Sequence, residues 1–449
     1  MLCFSLQAIE YGVYSFNGYA PVLMSAEAFP AYIPITFQEQ LKKAGFKPKR
    51  KTELTLKSQG SMGMHYPLNQ IVQKENPTHF NIVWMVAESF EDGMLTEEIM
   101  PATWDFSRQS YYFLNHYSGG NGTRMAVFTM FYGLYGNYWF PCMNEQRSPV
   151  LMDILQDNDY QIELFTSAAF TYPEFDKTVF ARIPEEHLHQ GGGGSSGWEN
   201  DRINVSSILD FLDKREPGKP FMTFMFFESP HAPYNFPPET VIREDYLKDF
   251  NYAMTNIQKS IVQIKNRYIN SCRHLDTQIE RVLKYLKENS LLDSTIVIIT
   301  GDHGQEFLEH GKWGHNSAFT EEQLRVPLVI WIPGQKPQQI TRMTSHLDLP
   351  ATVLTQLGVT NPPSDYSLGY DLLGAQHRTF NVVANWNGLC YMDQDCKITL
   401  PLKSISFSSN KITTLNDEPT DNPDTIFSEK NSDLMQVMKD SAVFRSERK

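Results

Sequence analysis

The chain has 449 residues, 41% hydrophobic and 20% charged, an ordinary globular composition with room for a large core. A net charge of -13 argues against a nucleic-acid partner, because phosphate backbones are held by a basic footprint. The five cysteines include no CxxC pair, which removes the usual structural-zinc pattern; Cys390 and Cys396 read equally as a short disulfide loop or as two free thiols.

Residues 1–77 read as a juxtamembrane or linker segment. Its aromatic-rich start is broken by Glu10, and no apolar run there or elsewhere is long enough to cross a bilayer. A basic cluster follows at Lys42, Lys43, Lys47, Lys49, Arg50 and Lys51, which suits anionic lipid head groups or, equally, a solvated face. From Phe80 the pattern changes. FNIVWMVAES (80–89) is a continuous apolar run ending in a carboxylate, as a buried parallel strand does. A glycine-rich turn then leads into a predicted helix, RMAVFTMFYGLY (124–135). SPVLMDILQDN predicts a second helix and YQIELFTSAA (160–169) a second strand. HQGGGGSSGWEN (189–200) reads as a flexible loop on composition.

FMTFMFFESPH (221–231), STIVIITGDHG (294–304) and PLVIWIPG (327–334) predict three more strands. Before the second of these, Leu275, Ile279, Val282 and Leu286 recur at helical spacing. Beyond residue 371, RTFNVVANW and DCKITL suggest a small C-terminal α+β subdomain (371–449), ending in a helix from Asn431. Alternating strands and helices over 78–370 imply an α/β catalytic domain with a largely parallel central sheet flanked by helices.

Ligands of such sheets bind at the carboxyl ends of the strands. Four predicted strands end in polar residues: Glu88, Thr166–Ser167, Glu228 to His231, and Asp302–His303. One strand ending in a carboxylate is usually a capped turn, but four together indicate a site. Carboxylate beside imidazole at Asp302–His303 suits zinc, manganese or magnesium, and the flanking Gly301 and Gly304 suggest a sharp backbone turn there. His310 and His315 follow in a polar loop, and His315 is the preferred functional one. Thr123, after Gly119, Gly120 and Gly122, reads alone as a helix cap. Read with Glu88 and Asp302–His303, it reads as a metal-activated nucleophile.

NIVWMVAES, GGNGTRM, FESPHAPY, GDHGQEFLEHGKWGH, RVPLVIWIPG and SHLDLPATVLTQLG, in that order, resemble the sulfatase-like branch of the alkaline phosphatase superfamily from about residue 80 to 375. Within it the chain is most similar to lipoteichoic acid synthases and phosphoethanolamine transferases. The resemblance implies one divalent ion (Zn, Mn or Mg) on Glu88, Thr123, Asp302 and His303, with Thr123 as nucleophile. It also implies substrate binding by His231, His315, Asn121 and Arg124. AYIPITFQEQLKKAGF and MHYPLNQIV are similar to the stretch entering the periplasmic domain of PbgA/YejM-type inner-membrane proteins of Gram-negative bacteria. That similarity implies a missing N-terminal transmembrane region, a periplasm-facing domain, and an anionic lipid or phospholipid partner linked to lipopolysaccharide control.

The sulfatase C/S-x-P-x-R signature is replaced here by GTRMA, so phosphate esters are expected in preference to sulfate esters. The leading expectation is therefore a phosphoester hydrolase or phosphoryl-group transferase. The alternative is a lipid-sensing regulator with little or no catalysis. His346 and Asp348 in SHLDLP could extend the site to a second metal, although Asp348 reads better as a helix cap.

Overall fold

The computed structural model describes residues 63–251, 254–401 and 411–446; the basic cluster at Lys42–Lys51 and most of the 1–77 segment lie outside them. Eight strands form the main sheet: β1 (Asn81–Ala87), β2 (Tyr111–Phe113), β3 (Gln161–Thr166), β4 (Leu188–Gln190), β5 (Phe221–Phe227), β6 (Thr295–Gly301), β7 (Leu328–Trp331) and β8 (Gln338–Ile340). Their order is β8-β2-β7-β6-β1-β5-β3-β4. β6, β1, β5, β3 and β4 run parallel, with Ile82 facing Ile296 on one side and Met222 on the other. β5 and β6 are buried along their whole length, which explains why their sequences are unbroken apolar runs. The fifth predicted strand, β7, is antiparallel to both β6 and β2 and therefore ends away from the shared carboxyl edge.

Helices α1 (Thr123–Tyr132), α2 (Val150–Asp157), α3 (Gly197–Lys214), α4 (Ile257–Glu288), α5 (Glu321–Leu324), α6 (Asp348–Gln356) and α7 (Asn431–Asp440) surround the sheets. Alternation along β1 divides the core in two. Ile82, Trp84 and Val86 pack with Phe128 of α1, Leu151 of α2 and Leu354 of α6. Val83, Met85 and Ala87 pack with Val205 of α3 and Leu275 of α4. Trp84 stacks on Phe131 at 4.8 Å, anchoring α1 over the middle of the sheet. Truncating a buried side chain such as Leu275 to Ala in a core of this kind costs about 2–5 kcal/mol.

Two local expectations change. α4 begins well before Leu275, the first residue of the predicted periodicity, because Asn256 caps it by accepting from Lys259 N at 3.1 Å. The expected 189–200 loop instead starts in edge strand β4 and ends inside α3. There Val205, Ile208 and Leu212 recur at helical spacing and bury one face of α3. The C-terminal β pieces form an antiparallel sheet of β9 (Asn381–Ala384), β10 (Gly388–Met392), β11 (Cys396–Pro401) and β12 (Ile412–Thr414). Cys390 and Cys396 are free thiols: Cys390 packs with Tyr117 and Val383, whereas Cys396 joins the main core. Among the described residues, no helix is long and apolar enough to cross a membrane.

Candidate active site

Because β1, β3, β5 and β6 are mutually parallel, their carboxyl ends share one edge of the sheet, and Glu88, Glu228, Asp302 and His303 follow directly from three of them. His303 Nε2 lies 3.1 Å from Glu88 Oε1 and 3.3 Å from Asp302 Oδ2, with all three side chains almost wholly buried. Thr123 Oγ1 donates to Glu88 Oε2 at 2.9 Å and lies 3.4 Å from His303 Nε2. The N-cap of α1 is Gly122, so the Thr123 hydroxyl serves the cluster and not the helix end. Space requires a glycine in the turn before it: a Cβ on Gly120 would stand 2.7 Å from Ala126 N. Space is also the reason for Gly301 and Gly304, whose backbones are not left-handed; a Cβ on Gly304 would meet Glu322 O at 2.0 Å.

The electrostatics follow from burial and crowding. Burial raises the Asp302 carboxyl well above the usual range, and the adjacent Glu88 charge adds to it. Burial acts in the same direction on Glu88, but the His303, His231 and His315 rings outweigh it and hold Glu88 well below that range. His303 is pushed up to about 9, because Asp302 and Glu88 overcome the desolvation that would lower it. Asp302 Oδ2 remains buried with no hydrogen-bond partner. An orphaned carboxylate oxygen beside a second carboxylate, an imidazole and a hydroxyl is a donor set that fits a divalent cation.

His315 lies close to this cluster. Its ring lies 4.2 Å from that of His303, and Glu88, His303 and His315 each offer a ligand atom within 4.8 Å of the others. His231 stands further out, its ring 5.8 Å from that of His315, and its side chain is 39% exposed, on the solvent side of the cluster. Its Nδ1 meets Glu228 Oε1 at 3.1 Å. Desolvation would lower His231, but Glu228, Glu88 and Asp302 push it up to about 10.

Two expected residues are placed differently. The Asn121 side-chain amide donates to Ala318 O at 2.9 Å and its backbone carbonyl accepts from Asn316 N, so it braces the loop carrying His315. The Arg124 guanidinium pairs with Glu174 at 2.7 Å and lies over the rings of Trp386, Trp139 and Tyr172 at 4.2, 5.3 and 5.3 Å. None of its hydrogen bonds or ion pairs reaches the cluster. Of the remaining strand-end candidates, Ser167 Oγ accepts from Asn204, and Thr166 Oγ1 accepts from Ala168 N. Asp348 is held by Arg378 and accepts from Ser345 N, so neither oxygen is free for a second metal.

Ser89 is absent from the sequence-based candidates. It adopts a left-handed φ of 57°, gives its N–H to Asp302 Oδ1 at 3.0 Å and its hydroxyl to Glu88 Oε1 at 3.1 Å. Tyr268 Oη secures its carbonyl at 2.6 Å. A non-glycine residue in that conformation costs on the order of 1 kcal/mol and persists only where its surroundings over-determine it. The sequence carried one cue, a polar residue directly after the strand-end carboxylate.

The family described as Sulfatase matches residues 80–359. The chain is 26% identical over 373 residues to the inner membrane protein YejM of Salmonella typhi, covering 81% of this chain and 56% of YejM. It therefore spans little more than half the length of that relative. Among solved structures, the lipoteichoic acid synthase LtaP from Listeria monocytogenes superposes with a TM-score of 0.59 at 16% identity, covering 84% of this chain and 97% of LtaP. The phosphonate monoester hydrolase SpPMH from Silicibacter pomeroyi gives 0.62 at 14% identity, covering 80% and 94%. At such identities the structural matches speak to the fold alone, a mixed α/β architecture around one large sheet. The family match spans most of the chain and contains every member of the strand-end cluster, and the protein accordingly belongs to the sulfatase family.

Proposed function

We propose that the protein is a metal-dependent phosphoester hydrolase or phosphoryl-group transferase that uses Thr123 as nucleophile on a lipid-type substrate at the Gram-negative inner membrane, with this domain facing the periplasm. The observation that carries this reading is the Thr123 hydroxyl held 2.9 Å from Glu88 and 3.4 Å from His303, inside a donor set suited to a cation. Glu88, Asp302, His303 and Thr123 would hold a divalent ion, which when bound lowers the pKa of a coordinated hydroxyl and stabilises charge on phosphoryl oxygens.

The chain's own groups account for the rest. Thr123 Oγ attacks phosphorus while its proton is directed toward Glu88 Oε2, and the bond from phosphorus to the leaving alkoxide breaks. His231, held by Glu228 at the solvent side, gives the alkoxide its proton. The phosphothreonine then yields its phosphoryl group to water or to an acceptor hydroxyl, restoring Thr123. Asn121 keeps the His315 loop against the cluster throughout. YejM and a lipoteichoic acid synthase among the similar proteins support a lipid-related substrate at the membrane. The GTRMA sequence, which lacks the sulfatase Cys or Ser, supports phosphate over sulfate.

The test is to incubate the metal-loaded protein with an aryl phosphodiester and an aryl sulfate and to map covalent adducts by mass spectrometry. We expect phosphate-ester turnover and a phosphoryl adduct on Thr123. Faster sulfate release would place the protein in the wrong ester class. A folded, metal-loaded protein inert to every ester would favour the lipid-sensing reading.

A further inference from the structure

We propose that His310, Glu322 and Asp417 form a second divalent-cation site, separate from the strand-end cluster, which fastens the loop carrying His315 to the C-terminal sheet. Each residue offers one ligand atom, and all three atoms lie within 4.8 Å of one another. That is the span of two metal–ligand bonds of about 2.0–2.4 Å. His310 Nε2 stands 3.2 Å from Glu322 Oε2, yet this oxygen is buried with no hydrogen-bond partner. The two atoms thus lie at the separation of neighbouring ligands without being aimed at each other. Asp417 Oδ2 lies 4.0 Å from His310 Nε2 and also accepts from Lys397 Nζ at 2.9 Å and from Glu321 N at 3.1 Å.

Charge points the same way. Glu321, Glu322 and Asp417 bring three carboxylates together, and the Lys397 ammonium, itself 3% exposed, contacts Glu321 and Asp417. A divalent cation would balance the remaining negative charge, and the 29% exposure of the His310 side chain leaves the site reachable from solvent. Imidazole among the donors favours zinc or manganese over magnesium.

The consequence is mechanical. His310 sits between His303 and His315, Glu322 belongs to α5, and Asp417 follows β12 in a left-handed turn (φ 68°). One ion would tie these three segments together and limit the motion of His315 relative to His303. The inference does not depend on the proposed reaction.

Elemental analysis of the full chain after equilibration with Mn²⁺ or Zn²⁺ and dialysis tests it. We expect about two ions per chain in the unaltered protein and about one in Asp302→Asn, with His310→Gln binding its second ion at least tenfold more weakly. The paired variant His310→Ala, Glu322→Gln should retain about one ion, with circular dichroism and thermal melting confirming that it is folded. Two ions retained in that folded variant would overturn the proposal. So would a single ion in the unaltered protein that is lost in Asp302→Asn.

Discussion

Thr123 and Arg124 are adjacent in sequence and belong to two different regions of the molecule. The threonine side chain enters a polar cluster of carboxylates and imidazoles at the strand ends. The arginine side chain enters an aromatic cage, 8% exposed, against an equally buried Glu174. Successive residues on a helix point about 100° apart, so a motif that brings one residue to a site carries its neighbour away from it. The cluster keeps polar groups unsatisfied: it holds an orphaned oxygen and a strained Ser89. The cage is built to hold shape, since Trp386 lies on the β9–β10 turn and brings the C-terminal sheet onto the start of α1. Ala384 N to Gly119 O at 2.9 Å reinforces the same junction.

The largest effect that separates the two regions should come from Thr123→Ala. We expect a loss of several orders of magnitude in kcat on a phosphodiester with little change in melting temperature. An active Thr123→Ala protein would break the distinction at its first member. Arg124→Ala should do the reverse. Leaving Glu174 buried and unpaired costs about 3–5 kcal/mol in unfolding free energy by denaturant titration, while the folded fraction keeps its kcat. A raised KM for an anionic ester at unchanged stability would instead restore Arg124 as a substrate ligand.

Asp302→Ala or His303→Ala should abolish thermal stabilisation by added metal at the strand-end cluster, worth about 2.7 kcal/mol at a hundredfold excess over Kd. Full occupancy of that cluster by elemental analysis would sink the ligand assignment. Thr123→Ser, the smallest change, should keep part of the activity, because the hydroxyl survives without the methyl that restricts its rotamer. Activity as low as that of the Ala variant would show that the methyl is as important as the oxygen.

The sequence by itself determined the five main strands, the long α4 and the residues that end β1, β5 and β6. Buried parallel strands need unbroken apolar runs, and a chemical group after such a run interrupts the pattern visibly. It also carried the ordered motifs of the sulfatase family. Only the tertiary structure decided that β7 runs antiparallel, that Thr123 is not the α1 cap, and that Arg124 and Asn121 brace their surroundings. Only it joined Ser89 to Glu88 and Asp302, and His310 to Asp417, which lies more than a hundred residues along the chain. The physical reason is range: periodicity and local propensity act over a turn or a strand, whereas side-chain direction and pairing depend on which distant segment packs alongside.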